Sequence, residues 1–588
     1  MKTVQFFWHY FKVYKFSFVV VILMIVLATF AQALFPVFSG QAVTQLANLV
    51  QAYQNGNPEL VWQSLSGIMV NLGLLVLVLF ISSVIYMCLM TRVIAESTNE
   101  MRKGLFGKLA QLTVSFFDRR QDGDILSHFT SDLDNILQAF NESLIQVMSN
   151  IVLYIGLILV MFSRNVTLAL ITIASTPLAF LMLIFIVKMA RKYTNLQQKE
   201  VGKLNAYMDE SISGQKAVIV QGIQEDMMAG FLEQNERVRK ATFKGRMFSG
   251  ILFPVMNGMS LINTAIVIFA GSAVLLNDKS IETSTALGLI VMFAQFSQQY
   301  YQPIIQVAAS WGSLQLAFTG AERIQEMFDA EEEIRPEKAP TFTKLQESVE
   351  ISHIVFSYLP DKPILKDVSI SAPKGQMTAV VGPTGSGKTT IMNLINRFYD
   401  VDAGGIYFDG KDIRGYDLDS LRSKVGIVLQ DSVLFSGTIR DNIRFGVPDA
   451  SQEMVEVAAK ATHIHDYIES LPDKYDTLID DDQSIFSTGQ KQLISIARTL
   501  MTDPEVLILD EATSNVDTVT ESKIQHAMEV VVAGRTSFVI AHRLKTILNA
   551  DQIIVLKDGE VIERGNHHEL LKLGGFYSEL YHNQFVFE

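Results

Sequence analysis

Six long apolar stretches occupy the first three hundred residues of this chain: Phe18 to Phe38, Leu65 to Met90, Leu144 to Phe162, Val166 to Val187, Ile251 to Leu276 and Ala286 to Ile305. Each holds 19 to 26 residues, and a helix of about 20 residues crosses a hydrocarbon core of about 30 Å. Soluble core helices seldom repeat that length six times, so a helical membrane domain is expected. The composition agrees, with 49% hydrophobic residues and a mean hydropathy of +0.25. A net charge of −13 argues against a general nucleic-acid binder. Cys88 is the only cysteine, which excludes an intrachain disulfide and a cysteine-based metal site.

The basic residues orient the six runs. Connections one to two, three to four and five to six are nearly free of Lys and Arg, with Arg164 and Lys279 the exceptions. The other two are rich in them, with Arg92, Arg102, Lys103, Lys108, Arg119 and Arg120 in one, and Lys188, Arg191, Lys192, Arg237, Arg239 and Lys240 in the other. Positive-inside bias then puts the N-terminus, these two connections and the C-terminal half in the cytoplasm. The two connections hold few prolines and read as helical extensions of the membrane helices. The first run follows Lys2, Lys12 and Lys15, is too long for a signal core and is not followed by a clear small-residue cleavage site. The stretch "FFWHYFKVYK" before it, with Phe6, Phe7, Trp8, Tyr10, Phe11 and Tyr14, suits a helix at the membrane–water interface or the start of the first membrane helix.

From Asp329 the composition changes. "DAEEEIRPEKAPTFTKLQES" is charged and holds Pro336 and Pro340, as linkers do. The short β-type runs "MTAVVG", "KVGIVLQ", "EVLILDE" and "TSFVIAH" then alternate with helical stretches, which predicts an α/β domain with a mostly parallel sheet. The expected organisation is a membrane domain over residues 1–328, a linker over 329–345 and the α/β domain over 346–588.

The strongest motif is "GPTGSGKTT", Gly382 to Thr390, between the apolar run "MTAVV" and the helical "TTIMNLINRF". A strand, a glycine loop and a helix in that order form a P-loop. Gly382, Thr384, Gly385, Ser386 and Gly387 let backbone N–H groups curl around phosphate oxygens, and Thr390 opens the helix behind them. Lys388 reaches the β/γ-phosphates in such a loop, and the Thr389 hydroxyl holds Mg²⁺. The expected ligands are therefore ATP and Mg²⁺. A second apolar run, "VLILD", ends at Asp510 and is followed by Glu511. A carboxylate there can hold Mg²⁺ through water, and the next one can polarise an attacking water.

With those motifs in hand, residues 346 to 588 resemble the nucleotide-binding domain of ABC (ATP-binding cassette) transporters. The resemblance implies that Tyr358 in "FSYLPDKPILKDVS" stacks on adenine, and that Gln430 in "IVLQDSVLF" contacts Mg²⁺ and senses the membrane domain. It implies that "FSTGQKQLISIARTL" is the signature segment, with Ser487, Gly489 and Gln490 offered to nucleotide, that "SNVD" ending at Asp517 is the D-loop, and that His542 in "VIAHRL" is the switch histidine. In the membrane half, "FFDRRQDGDILSHFTSDLDNI" (Phe116 to Ile136) and "LNAYMDESISGQKAVIVQG" (Leu204 to Gly222) look like the two intracellular loops of ABC exporters. In that family each carries a short coupling helix that docks on an ATPase domain. "AERIQEMFD" is similar to the segment that joins the sixth helix to the ATPase.

One chain supplies one P-loop and one signature, and in this family an ATP site takes them from opposite subunits. The resemblance therefore implies a dimer of half-transporters exporting across the cell membrane. The family signature usually reads Leu-Ser-Gly-Gly-Gln, and here Thr488 stands at the first glycine while Lys388, Asp510 and Glu511 are intact. That asymmetry points to a heterodimer, in which this chain holds the hydrolysing site and donates the weaker signature. Residues 1–17 are too short for the peptidase domain often carried by peptide exporters. In the sixth run Gln295, Gln299, Gln302 and Gln306 recur at helical steps beside Phe293, Phe296 and Tyr300. Both sets can pack against neighbouring helices. In the family this helix usually lines the transport path, where they would suit amphipathic, partly aromatic drugs. Multidrug efflux is thus the expected activity, with lipid flipping or peptide export the alternatives. No Asp or Glu lies mid-run, so a fixed intramembrane counter-charge is not expected.

Overall fold

Apolar side chains over more than five turns leave the backbone no water to bond, so helix is the outcome in the first half. The computed structural model describes residues 2–55, 59–275, 281–336, 338–360, 362–429, 432–479, 486–510, 517–540 and 547–584. Among them, Gln5–Tyr53, Val61–Leu109, Asp122–Arg164, Val166–Ser213 and Gln224–Leu275 are long and apolar enough to cross a membrane. At most 33% of the apolar window of each is buried within the chain. Most of these side chains therefore face outward, as contact with lipid or another membrane helix requires.

The sixth run departs from the expected single span. It divides into Thr283–Tyr300 and Gln302–Phe328, which meet at Tyr301. Pro303 explains the break, because it has no N–H to donate and its ring crowds the carbonyl four residues earlier, that of Gln299. The two basic connections are helical, as expected. Thr176–Ser213 and Gln224–Gly250 run side by side, with Tyr193 stacked on Phe248 at 5.2 Å and the Tyr207 hydroxyl donating to the Met227 carbonyl at 2.8 Å. At the start of the chain, Lys2–Phe11 is a helix of its own, joined to Lys15–Asn55 by a 3₁₀ turn at Lys12–Tyr14. Phe6, Phe7 and Phe11 are buried, Phe6 against Phe328 and Phe7 against Phe140 and Phe318, while Trp8 is exposed.

The chain divides into two compact units. One comprises Met1–Ala110 with Arg120–Ala330, the other Gln111–Arg119 with Glu331–Glu588. The segment Gln111–Arg119, with its short helix Val114–Asp118, is thus part of the second unit although six long helical stretches separate it in sequence from Glu331. Leu112 bridges to Glu332, and the Glu333 N–H donates to the Gln111 carbonyl at 2.9 Å.

The second unit is built on two large sheets, with a small third pairing Gly437–Thr438 and Leu478–Ile479. A six-stranded sheet runs Glu560–Gly565, Gln552–Lys557, Met377–Val381, Thr536–Ile540, Val506–Asp510, Val425–Val428 in spatial order. All its pairings are parallel except that between the first two. Its four-stranded companion, Leu365–Pro373, Ser348–Phe356, Ala403–Phe408 and Lys411–Asp412, is antiparallel. The parallel strands are nearly unbroken runs of buried Val, Ile and Leu, the pattern of a sheet covered on both faces. One core packs Ile391, Leu394 and Ile395 of the helix after the glycine loop against Val380, Ile508 and Ile540. Ligand sites in such sheets lie beyond the carboxyl ends of the parallel strands.

Candidate functional site

Three parallel strands end level with one another, Ile540 pairing with both Val380 and Asp510. Gly382 begins the glycine loop one residue past Val381, and Lys388 opens the helix Lys388–Ile395. Two glycines in the loop are required by geometry. Gly387 sits at φ +103°, where an added Cβ would lie 2.6 Å from Leu365 Cδ2. Gly382, at φ +157°, has no room for a Cβ beside the Leu556 carbonyl. Gly385 also has positive φ, +83°, but faces open space. The loop thus exists in a backbone form that L side chains rarely adopt, packed on the strand Gln552–Lys557 and the antiparallel sheet.

Lys388 is 8% exposed, and its ammonium donates to the carbonyls of Gly382 at 2.8 Å and Pro383 at 3.0 Å. Burial pushes its pKa below the ordinary lysine value, and the Asp510 carboxylate works in the opposite direction. Ser386 Oγ is buried and has no hydrogen-bond partner among the described residues. Thr384 and Thr389 are exposed and Thr390 is buried. A buried cation at the head of a helix, an unpaired hydroxyl and a glycine cradle fit an anion of phosphate type. The exposed Thr389 hydroxyl and the Asp510 carboxylate are oxygen donors of the kind Mg²⁺ takes. Glu511, Gln430 and His542 lie outside the described residues. In the sequence they follow the strands Val506–Asp510, Val425–Val428 and Thr536–Ile540.

Tyr358 sits in a clamp that was not apparent in the sequence. Its ring meets Tyr399 edge-on at 5.0 Å and Phe356 at 4.9 Å. Its hydroxyl accepts from Asn393 Nδ2 at 3.2 Å, and its carbonyl from Arg119 at 3.1 Å. The Tyr399 hydroxyl in turn donates to Asp118. Burial, then Asp118, holds the Tyr399 phenol above its usual pKa, so it stays the donor. Asp118 and Arg119 belong to the Gln111–Arg119 segment, so a stretch between the second and third apolar runs fixes the position of Tyr358. The only signal for this in the sequence was the charged "FFDRR", and nothing local pointed to Tyr399.

The signature segment is an ordinary helix start. Ser487 caps Thr488–Met501, its Oγ accepting from Gln490 N–H at 3.3 Å while Gln490 Oε1 accepts from Ser487 N–H at 2.9 Å. This reciprocal pair is a capping box. Thr488, the departure from the usual glycine, is the exposed first residue of the helix and is not among the positive-φ residues. Its Cβ therefore brings no positive-φ strain to this helix start. Gly489 is buried in the next position. Asp517 caps Thr518–Val532, accepting from Thr520 N–H at 3.0 Å, and that bond holds its pKa below the usual carboxylate range.

In the membrane unit the aromatic stripe of the sixth run is core. Phe293, Phe296 and Tyr300 are at most 1% exposed. The Tyr300 hydroxyl bonds Tyr154 at 2.7 Å and Thr176 at 3.0 Å. Gln295 donates to Ser39 at 2.8 Å, and Gln306 accepts from Gln146 at 3.0 Å. A helical stripe has the same period whether it faces a cavity or a neighbouring helix, and in this structure the three rings face neighbours.

The fold and site define a P-loop ATPase unit carried on a bundle of membrane-length helices. The description "ABC transporter transmembrane region" matches residues 18–300, and "ABC transporter" matches 365–514. The chain is 39% identical to an uncharacterized ABC transporter ATP-binding protein of Bacillus subtilis, over 99% of this chain and 94% of that one. It is 37% identical to a fatty acid ABC transporter ATP-binding/permease protein of Mycobacterium bovis, over 84% and 77% respectively. A solved structure of a bacterial Atm1-family ABC exporter with ATP bound superposes with a TM-score of 0.74 at 27% identity, covering 97% of this chain and 98% of that one. The chain belongs to the ABC exporters, membrane-spanning proteins with a cytoplasmic ATPase domain whose hydrolysis is coupled to transport. Members of this family work as dimers.

Proposed function

We propose that two half-transporters, this chain being one of them, use ATP with Mg²⁺ to export hydrophobic or amphipathic compounds, drugs included. The observation that carries this reading is the glycine cradle around buried Lys388, following a strand whose end is level with that of Asp510, in the same chain as five helices, among the described residues, long and apolar enough to cross a membrane.

In this reading Lys388 exchanges loop carbonyls for phosphate oxygens, which restores the charge balance that burial disturbs. Gly382, Thr384, Gly385, Ser386, Gly387 and Thr390 shape the cradle, and Tyr358 stacks on adenine. Thr389, Gln430 and Asp510 would hold Mg²⁺, which supplies positive charge to the phosphates. Glu511 accepts a proton from the attacking water as general base, and His542 contacts the γ-phosphate. Ser487, Gly489 and Gln490 present hydroxyl and N–H donors to nucleotide on the partner, with Asp517 beside that junction. ATP clamps the two ATPase domains together, hydrolysis releases them, and the movement alternates the exposure of a path between the membrane halves.

A heterodimer is the finer proposal. Thr488 does not strain this chain, so its effect falls on what the helix start shows to the partner's nucleotide. A lipid is the second reading of the substrate, favoured by the fatty acid transporter that shares 37% identity. Purified transporter in inside-out proteoliposomes tests the class. ATP-dependent accumulation of a fluorescent amphipathic dye is expected. ATP turnover without accumulation of any dye or lipid probe would contradict export and favour a gated channel or sensor.

A further inference from the structure

Between the third, fourth and sixth apolar runs lies a groove of about 370 Å³, within the size range of ligand pockets. Tyr154, Phe180, Leu183, Ile304 and Trp311 form most of its wall, and no charged residue lines it. Asn150, Phe180, Leu183 and Ile304 lie in the halves of their runs that lead to the cytoplasmic segments, and Tyr154 lies near mid-run, so the groove extends from mid-membrane into the cytoplasmic leaflet.

Polar groups around it are nearly all satisfied. At one end Gln146 pairs with Gln306 at 3.0 Å and accepts from Ser310 at 3.4 Å. At the other, the Tyr154 hydroxyl pairs with Tyr300. Asn150 and Trp311 differ: both line the groove, and neither side chain makes a hydrogen bond to any described residue. Trp311 is 65% exposed. An unpaired amide in an apolar wall at membrane depth is costly unless something bonds it. A charged head would find no counter-charge in the lining.

We propose that this groove binds a single-chain amphiphile with an uncharged, hydrogen-bond-accepting head, taken from the cytoplasmic leaflet. The chain lies on Phe180, Leu183 and Ile304, and the head accepts from Asn150 and from the Trp311 indole N–H. This deepens the export reading by naming its substrate class, and rests on it only for the direction of travel.

Trp8, Trp62 and Trp311 are the three tryptophans, so Trp8→Phe with Trp62→Phe leaves Trp311 as the sole reporter in the full-length transporter. A monoacylglycerol brominated in its chain should quench Trp311 saturably. A brominated alkane without a head should bind at least about fivefold more weakly. Asn150→Leu should raise the apparent Kd for the monoacylglycerol about fivefold and leave the alkane unchanged, while Asn150→Gln should keep tight binding. Ile304→Phe, which fills the groove without touching Asn150, should abolish saturable quenching by both. Quenching that rises linearly with probe, or that is indifferent to both Asn150→Leu and Ile304→Phe, would overturn the proposal. No ATP is used, so saturable binding combined with failed ATP-driven accumulation would overturn export and leave the groove standing. The converse result would remove the groove alone.

Discussion

The glycine loop and the signature segment are expected to meet the same ligand from opposite sides, yet they are built on different terms. The loop carries its chemistry in its own backbone. It holds three positive-φ glycines, a buried lysine bonded to loop carbonyls and an unpaired serine hydroxyl. The signature segment is a capped helix start that any soluble protein could contain, with Ser487 and Gln490 satisfying each other. A half-site that must wrap the phosphates with its own backbone shows itself as local strain. A half-site completed by another subunit looks unremarkable until the partner arrives.

Substitutions can sharpen that contrast. The largest effect is expected at Gly387→Ala, where φ +103° and the close approach to Leu365 act together. Strain of about 1–3 kcal/mol adds to about 1–3 kcal/mol of overpacking. Nucleotide binding by calorimetry should be lost in folded protein, and retained affinity would show that the loop is not rigid. Next is Lys388→Ala, which removes a charge-assisted contact worth about 1.5–3 kcal/mol, or about tenfold to a hundredfold in ATP affinity. The same lysine predicts a pH effect. Phosphate favours its charged form, so affinity is full below the depressed pKa and falls as pH rises through it. Wild-type ATP affinity should therefore decline at a lower alkaline pH than for an ordinary lysine, and a flat profile would remove the burial argument.

Ser487→Ala should cost about 1 kcal/mol of local stability through the lost cap, seen by hydrogen exchange over Thr488–Met501, while this chain's own nucleotide affinity is unchanged. Smallest is Thr488→Gly. Glycine at an exposed helical position costs at most about 1 kcal/mol, so folding should barely change. In the chain purified without another subunit, ATPase activity should rise several-fold. Robust turnover by the unmodified chain alone would instead support a homodimer.

How much was readable in advance follows the same divide. The loop motif was legible because its glycines, lysine and threonines are contiguous and each has a geometric reason. Asp510 was legible because an apolar run announces its strand. The clamp on Tyr358 was not, since Asp118 and Tyr399 are 281 residues apart. The break at Tyr301 was not, since the apolar run continues to Ile305 and length alone predicts one helix through Pro303. Phe293, Phe296 and Tyr300 were misplaced because periodicity gives a face without saying what it faces. Thr488 was legible as a departure from the family's glycine; that an exposed helix start takes its Cβ without backbone strain was not.

The most direct test of ATP-driven export is Glu511→Gln in the reconstituted transporter, measured for ATP binding, ATP turnover and vectorial transport together. The substitution keeps shape but removes the carboxylate proposed to take a proton from the attacking water. Binding should persist, with turnover and ATP-dependent transport both falling at least about a hundredfold. Near-normal turnover in the properly partnered protein would contradict the assignment of Glu511, and transport continuing without turnover would contradict ATP-driven export itself.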